Sequence, residues 1–90
     1  MDIESLIAEK KSYMDIIKIG RKNIAQLKHD KAVAKAPLWE DATGTVDQKK
    51  DYIKSETAEF DRDIAREEAN IEYAYNMISI VEDKLVLLDE

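Results

Sequence analysis

Apolar residues recur every three or four positions along two long stretches of the chain, which is the spacing of an amphipathic helix. The apolar positions of the first stretch are Ile3, Leu6, Tyr13, Ile17, Ile24 and Leu27. Lys10 and Gly20 interrupt this pattern, which continues to about Ala36. Pro37 disfavours helical geometry at the residue before it, so we expect the first helix to span about residues 3–36.

The second stretch has a longer and more regular pattern. Its apolar positions alternate between steps of four and three residues, as in a coiled-coil heptad, and Thr57 and Glu67 are two polar members. The positions of this seam are Ile53, Thr57, Phe60, Ile64, Glu67, Ile71, Ala74, Ile78, Val81, Leu85 and Leu88. Thr45 and Gln48, three residues apart, are typical of a capping box. Because neither Pro nor Gly follows Gly44, we predict one unbroken helix over about residues 46–88.

The connection between the helices, at about residues 37–46, is long enough for them to fold back on each other. Residues 1–37 carry 8 basic and 5 acidic side chains, whereas residues 38–90 carry 6 and 15, so opposite net charges favour pairing of the two arms. We therefore predict one all-α domain over residues 1–90, an antiparallel two-helix hairpin of the coiled-coil type. Further apolar residues outside the seam, concentrated near the C-terminus, predict that this hairpin completes a four-helix bundle with a partner.

Composition argues against several classes of function. Ninety residues, 38% of them charged, leave little room for a catalytic pocket, and the absence of Cys excludes a thiolate metal site. The net charge of −6 argues against nucleic-acid binding, and no apolar run is long enough for a membrane span. The N-terminal residues lack the pattern of a signal peptide. We expect a cytoplasmic protein, or one that is co-exported by a leaderless route.

Candidate catalytic and metal-binding residues have simpler interpretations. The single histidine, His29, lacks an orienting acid, because the adjacent Asp30 points to another face of the helix. Two arginines are interleaved with the carboxylates of Asp61, Asp63, Glu67 and Glu68, which do not follow the spacing of a calcium loop. We therefore expect no enzymatic activity, no metal site and no cofactor.

Trp39 lies in the predicted connection, where burial of its ring would staple the turn to the helix ends. A helical hairpin with Leu38-Trp39-Glu40-Asp41 in its turn and the tail 77–85 after it resembles the WXG-like proteins of type VII secretion. The similarity is greatest to the small acidic partners of LXG toxins. The family has Gly two residues after Trp, where this chain has Asp41, and the export motif Tyr-x-x-x-Asp/Glu is missing beyond the second helix. The resemblance thus implies a chaperone that binds a helical effector, rather than a protein secreted alone.

The leading hypothesis is a non-catalytic helical adaptor or chaperone that packs against a helical partner, for which the resemblance implies a type VII LXG effector. Two alternatives remain: a self-assembling phage or virion coiled-coil protein that forms homo-oligomers, and an acidic phage-type inhibitor of a host enzyme. The predicted partner-binding residues are apolar or aromatic: Trp39, Phe60, Ile64, Ile71, Tyr75, Ile78, Val81 and Leu85.

Overall fold

A computed structural model describes residues 2–89 of the chain, and its regular elements are helices. Helix α1 spans Ile3–Asp41, α2 spans Val46–Glu56 and α3 spans Ala58–Asp89. The most extensive packing joins α1 and α3, while the short α2 contacts both of them. The molecule is 66 Å long and only 18 by 13 Å across. The all-helical prediction is confirmed, and the protein is an elongated rod.

Two ion pairs show how the arms are aligned. The Lys10 Nζ atom lies 3.1 Å from Glu82 Oε1, near the chain termini. The Lys31 Nζ atom lies 2.5 Å from Asp61 Oδ1, towards the connection. Residue numbers therefore rise along α1 as they fall along α3, so the two helices run antiparallel and form a hairpin.

The interior of the hairpin follows the two predicted seams except at their terminal members, Ile3 and Leu88, which are exposed. The buried apolar side chains are Leu6, Ile17, Ile53, Ala74 and Val81. Gly20 is buried as well, and a Cβ atom at this position would lie 2.8 Å from the Cγ1 atom of Ile71. Gly20 was predicted to interrupt the apolar pattern, but it instead occupies a seam position where the helices approach closely. The missing side chain is what permits this approach.

The first helix extends five residues beyond its predicted end, and Pro37 lies within it. A proline removes one backbone hydrogen bond, here the one that the carbonyl of Val33 would accept. Pro37 and Val33 are both exposed, so water can hydrate that carbonyl, while half-buried Leu38 keeps the helix packed. The connection shrinks accordingly from the predicted residues 37–46 to residues 42–45, and Trp39 lies in the last turn of α1.

The second arm is not one unbroken helix, because it is interrupted at Thr57. This residue has φ −105° and ψ 8°, and it separates α2 from α3. Its buried hydroxyl donates a hydrogen bond to the carbonyl of Ile53 at 2.7 Å, and Phe60 N–H bonds to Thr57 O at 3.1 Å. Threonine hydroxyls that bond back to the preceding turn compete with the helical ladder and often bend a helix. The heptad pattern continues through this break and therefore gave no sign of it.

Both predicted helix starts are confirmed by side-chain caps. The Asp2 carboxylate accepts a hydrogen bond from Ser5 N–H at 3.1 Å. Thr45 Oγ1 accepts one from Gln48 N–H at 3.2 Å, and Gln48 Oε1 accepts one from Thr45 N–H at 2.9 Å. These bonds satisfy amide groups that have no partner within the helix. The starts of α1 and α2 are thus encoded by neighbouring residues.

Candidate partner-binding surface

The seam residues predicted to bind a partner lie largely inside the hairpin. Val81 is 0% exposed, and Ile71 is the residue that meets Gly20. The other four seam residues of the prediction, Phe60, Ile64, Ile78 and Leu85, are half-buried. These side chains stabilise the pairing of α1 with the second arm. In the folded hairpin, Val81 offers a partner no accessible surface.

The two sides of the seam are distinguished by heptad position. Met14 and Tyr75 each follow a seam residue, whereas Ile16 and Met77 each precede one. Residues that follow and residues that precede the seam lie on opposite sides of a paired helix. The hairpin therefore has two flat sides, each built from both arms, and they differ in chemistry.

Tyr75 lies on the side with an open groove between α1 and α3. Its hydroxyl accepts a hydrogen bond from the guanidinium of Arg21, whose Cζ atom lies 5.8 Å from the centre of the tyrosine ring. Lys10, Lys18 and Glu82 also line this groove, together with Met14 and Ile78. Charged groups line this groove beside the apolar ones, and Arg21 and Lys10 already have partners within the hairpin.

The opposite side is more apolar near the chain termini. The rings of Tyr13 and Tyr73 pack edge to face across the two helices, with centroids 6.3 Å apart and planes at 79°. We call the surrounding surface the open-end face, and it consists of Tyr13, Ile16, Ile19, Tyr73, Met77, Ile80 and Leu87. Ile19 is 59% exposed, Ile80 46% and Leu87 67%. Exposed apolar side chains gathered on one side in this way typically mark an interaction site.

Lys84 precedes the seam residue Leu85 and so lies on this side as well, but the stretch before it contains little charge. Nine consecutive residues, 73–81, carry no ionisable acid or base other than tyrosine. Desolvation raises the pKa of the Tyr13 hydroxyl, and the nearby Tyr73 and the Glu9 carboxylate raise it further. Neutral tyrosine is therefore the form that this surface favours, which suits contact with another apolar surface.

Trp39 belongs to a different surface, close to the connection. It is 41% exposed and lines a groove where the end of α1 meets α2. We call this the cationic groove, and it is lined by Lys31, Lys35, Trp39, Lys50, Ile53, Lys54, Thr57 and Asp61. Four of these side chains are lysines, so the groove is basic although the protein as a whole is acidic.

Sequence reasoning identified apolar residues outside the seam but did not assign them to one face. Tyr73, Met77, Ile80 and Leu87 share a side with Ile16 and Ile19 only after the arms pair. The cationic groove was missed altogether, because its lysines come from both arms. The spacing of four residues within each lysine pair was the available signal: Lys31 and Lys35 on one arm, and Lys50 and Lys54 on the other.

His29 is exposed on α1. Within residues 2–89, no three His, Asp or Glu side chains gather as a candidate metal-ion site. The helices over this same range are too polar or too short to cross a membrane. Comparison of the chain with models of protein families, with curated proteins and with solved structures gives no match. The two surfaces of the hairpin therefore carry the functional proposal.

Proposed function

We propose that this protein is a non-catalytic helical adaptor or chaperone, and that a helical partner packs along its open-end face to complete a four-helix bundle. The observation that carries the proposal is the exposure of Ile19, Ile80 and Leu87 on one side of an already folded hairpin. These side chains are not needed to pair α1 with α3, since buried seam residues do that.

The physical basis is the removal of apolar surface from water. Burial of such surface contributes about 25 cal/mol per Å², and two helices cannot cover a face that lies outside their shared seam. Two partner helices laid along the open-end face would cover it in the usual arrangement of a four-helix bundle. A partner that binds only the folded hairpin would also stabilise it by mass action.

The resemblance to the acidic partners of LXG toxins supports a finer proposal about the occupant. In that family the partner is the helical region at the N-terminus of a type VII effector, which the small protein accompanies. The apolar and uncharged stretch at residues 73–81 suits a helix-to-helix contact of this kind. The contribution of this face to binding should persist at raised ionic strength, because apolar packing is little affected by screening.

The test compares two exposed apolar residues at equivalent heptad positions. Ile80 lies on the open-end face and is 46% exposed, whereas Val33 is 60% exposed on the same side near the connection. Each is replaced by Asp, and each variant is co-expressed with the helical region of an LXG effector. We expect Ile80→Asp to abolish co-purification and Val33→Asp to retain it, with circular dichroism confirming that both variants remain helical.

Light scattering on the protein alone separates the adaptor from the self-assembly alternative. A one-chain mass that rises only when the effector region is present would support the adaptor. A stable homo-oligomer that Ile80→Asp dissociates, with no effector binding, would instead favour a self-assembling structural protein. If Ile80→Asp and Val33→Asp bind equally well, the open-end face is not the interface.

A further inference from the structure

The cationic groove has an excess of positive charge that the hairpin does not balance. Among residues 2–89, Asp61 is the one acidic side chain that lines it, and its Oδ1 atom lies 2.5 Å from Lys31 Nζ. Lys35, Lys50 and Lys54 line the same groove. Lysines therefore outnumber acidic side chains in the groove by three, in a protein whose net charge is −6.

Lysines of the groove lie one helical turn apart within each helix. Lys31 and Lys35 are four residues apart on α1, and Lys50 and Lys54 are four residues apart on α2. Like charges at this spacing repel each other. An anion bound in the groove would attract the lysines and offset their mutual repulsion. The cluster is therefore better suited to a bound state than to the free hairpin.

The walls of the groove add an apolar platform to the charge. Ile53 and Thr57 are buried beneath it, and the Thr57 hydroxyl already donates to the carbonyl of Ile53. The indole of Trp39 is the large apolar group that stays exposed. A ligand would therefore be recognised by lysine ammonium groups and by contact with the indole.

We propose that the cationic groove binds an acidic peptide segment of the protein partner. Lys31 and Lys35 lie about one turn apart on α1, and so do Lys50 and Lys54 on α2, a spacing that matches a peptide helix with carboxylates one turn apart. A polyphosphate backbone fits less well, because it carries no side chain that could cover the exposed indole of Trp39. The inference rests on the proposed function, and it adds that the partner carries an acidic segment that binds in this groove.

Trp39 provides a direct measurement, since it is the single tryptophan of the chain. The full-length protein is titrated with poly-L-glutamate at low ionic strength while its fluorescence is recorded, and calorimetry measures the same binding independently. We expect saturable binding that weakens as salt is added. Absence of binding by both methods would overturn the proposal.

Two matched charge variants test whether the groove is the site. K50Q/K54Q removes two lysines from the groove, and K11Q/K22Q removes two exposed lysines of α1 that do not line it. We expect K50Q/K54Q to weaken poly-L-glutamate binding about tenfold, the effect of two contacts of about 0.7 kcal/mol each. K11Q/K22Q should change it less than about twofold. Equal losses in both variants would show that net charge alone drives binding and would overturn the site.

Sodium tripolyphosphate tests the chemistry of the ligand. Binding of tripolyphosphate without binding of poly-L-glutamate would overturn the assignment to an acidic peptide. Ile80→Asp keeps the two proposals separate, because it alters the open-end face and should leave poly-L-glutamate binding unchanged. If the protein binds poly-L-glutamate normally but binds no effector region, the adaptor proposal is contradicted and the groove proposal is not. If K50Q/K54Q binds the effector region with full affinity, the groove proposal is contradicted.

Discussion

The two ends of the hairpin differ in how they are held together and in what they expose. At the open end, residues 3–20 and 71–89, the buried residues include Leu6, Ile17, Ala74 and Val81. At the loop end, residues 21–70, the buried side chains are Ile53 and the polar Thr57. The tighter interior therefore lies at the end that is farther from the connection.

The exterior shows the same imbalance. Eleven of the fifteen large apolar side chains exposed within residues 2–89 lie at the open end, and only Val33, Trp39, Val46 and Tyr52 lie at the loop end. Because the open end already has a packed seam, its exposed apolar residues are additional to what the hairpin requires. Exposed apolar side chains and lysines are thus divided between the two ends, with apolar surface at the open end and the lysines of the cationic groove at the loop end.

The largest expected effect follows from a charge placed inside the open end. Val81→Asp buries a carboxylate with no partner, which costs several kcal/mol and is comparable with the whole stability of a small domain. We expect loss of the cooperative thermal transition measured by circular dichroism. The control is Val86→Asp, because Val86 is 59% exposed and should tolerate the change within about 0.5 kcal/mol. Equal destabilisation by both variants would contradict the burial of Val81.

The corresponding change at the loop end should have a local effect. Ile53 is 4% exposed and is the buried residue of the short α2. Ile53→Asp should therefore unfold α2 while α1 and α3 remain paired at the open end. Hydrogen exchange followed by mass spectrometry would show fast exchange over residues 46–56 and retained protection over residues 74–85. Loss of protection along the whole chain would show that the two ends do not fold independently.

A smaller effect is expected at Gly20, where the helices approach each other. Gly20→Ala should lower the free energy of unfolding by about 1–2 kcal/mol, because overpacking outweighs the gain in helix propensity. The new Cβ atom would lie 2.8 Å from Ile71 Cγ1. Introducing Gly20→Ala into an Ile71→Ala background should be neutral or stabilising, since the clashing atoms are gone. Additive losses in this double-mutant cycle would exclude a direct contact between these residues.

The smallest expected effect concerns tyrosine ionisation on the open-end face. Desolvation raises the pKa of Tyr13 in the folded protein, so the folded state holds its proton more tightly than the unfolded state. This contribution is present below the unfolded pKa of about 10 and is lost as the pH rises through the folded pKa. Tyr13→Phe should therefore flatten the loss of stability above about pH 10, measured by urea unfolding. Tyr52→Phe, at the loop end, is the matched control and should keep the dependence.

Much of the fold was predictable because its determinants are local. The caps at Asp2 and Thr45 act over three residues, and the seam positions of both arms follow from periodicity. The end of α1 was mispredicted because the effect of Pro37 depends on whether the carbonyl it leaves free is exposed. The break at Thr57 escaped prediction because a threonine at a seam position fits the heptad whether or not its hydroxyl bonds back to Ile53.

The candidate sites were less predictable than the fold. The sequence shows that four apolar residues of the second arm lie outside the seam: Tyr73, Met77, Ile80 and Leu87. They form one surface with Ile16 and Ile19 only when α1 pairs with α3. Trp39 was recognised as a residue of interest, although its lysine neighbours on α2 were not. A pattern along one arm does not reveal which side chains of the other arm stand beside it.

The sequence by itself determined that the chain is helical, which positions face inward and where α1 and α2 begin, since each of these depends on residues within about two helical turns. Tertiary structure decided that a side chain at position 20 would clash with Ile71 and which exposed residues share a surface. These features depend on contacts between residues 30 or more positions apart, such as Lys31 with Asp61. The register of the two arms, set by packing along their whole length, is therefore what turns two amphipathic helices into a protein with two distinct surfaces.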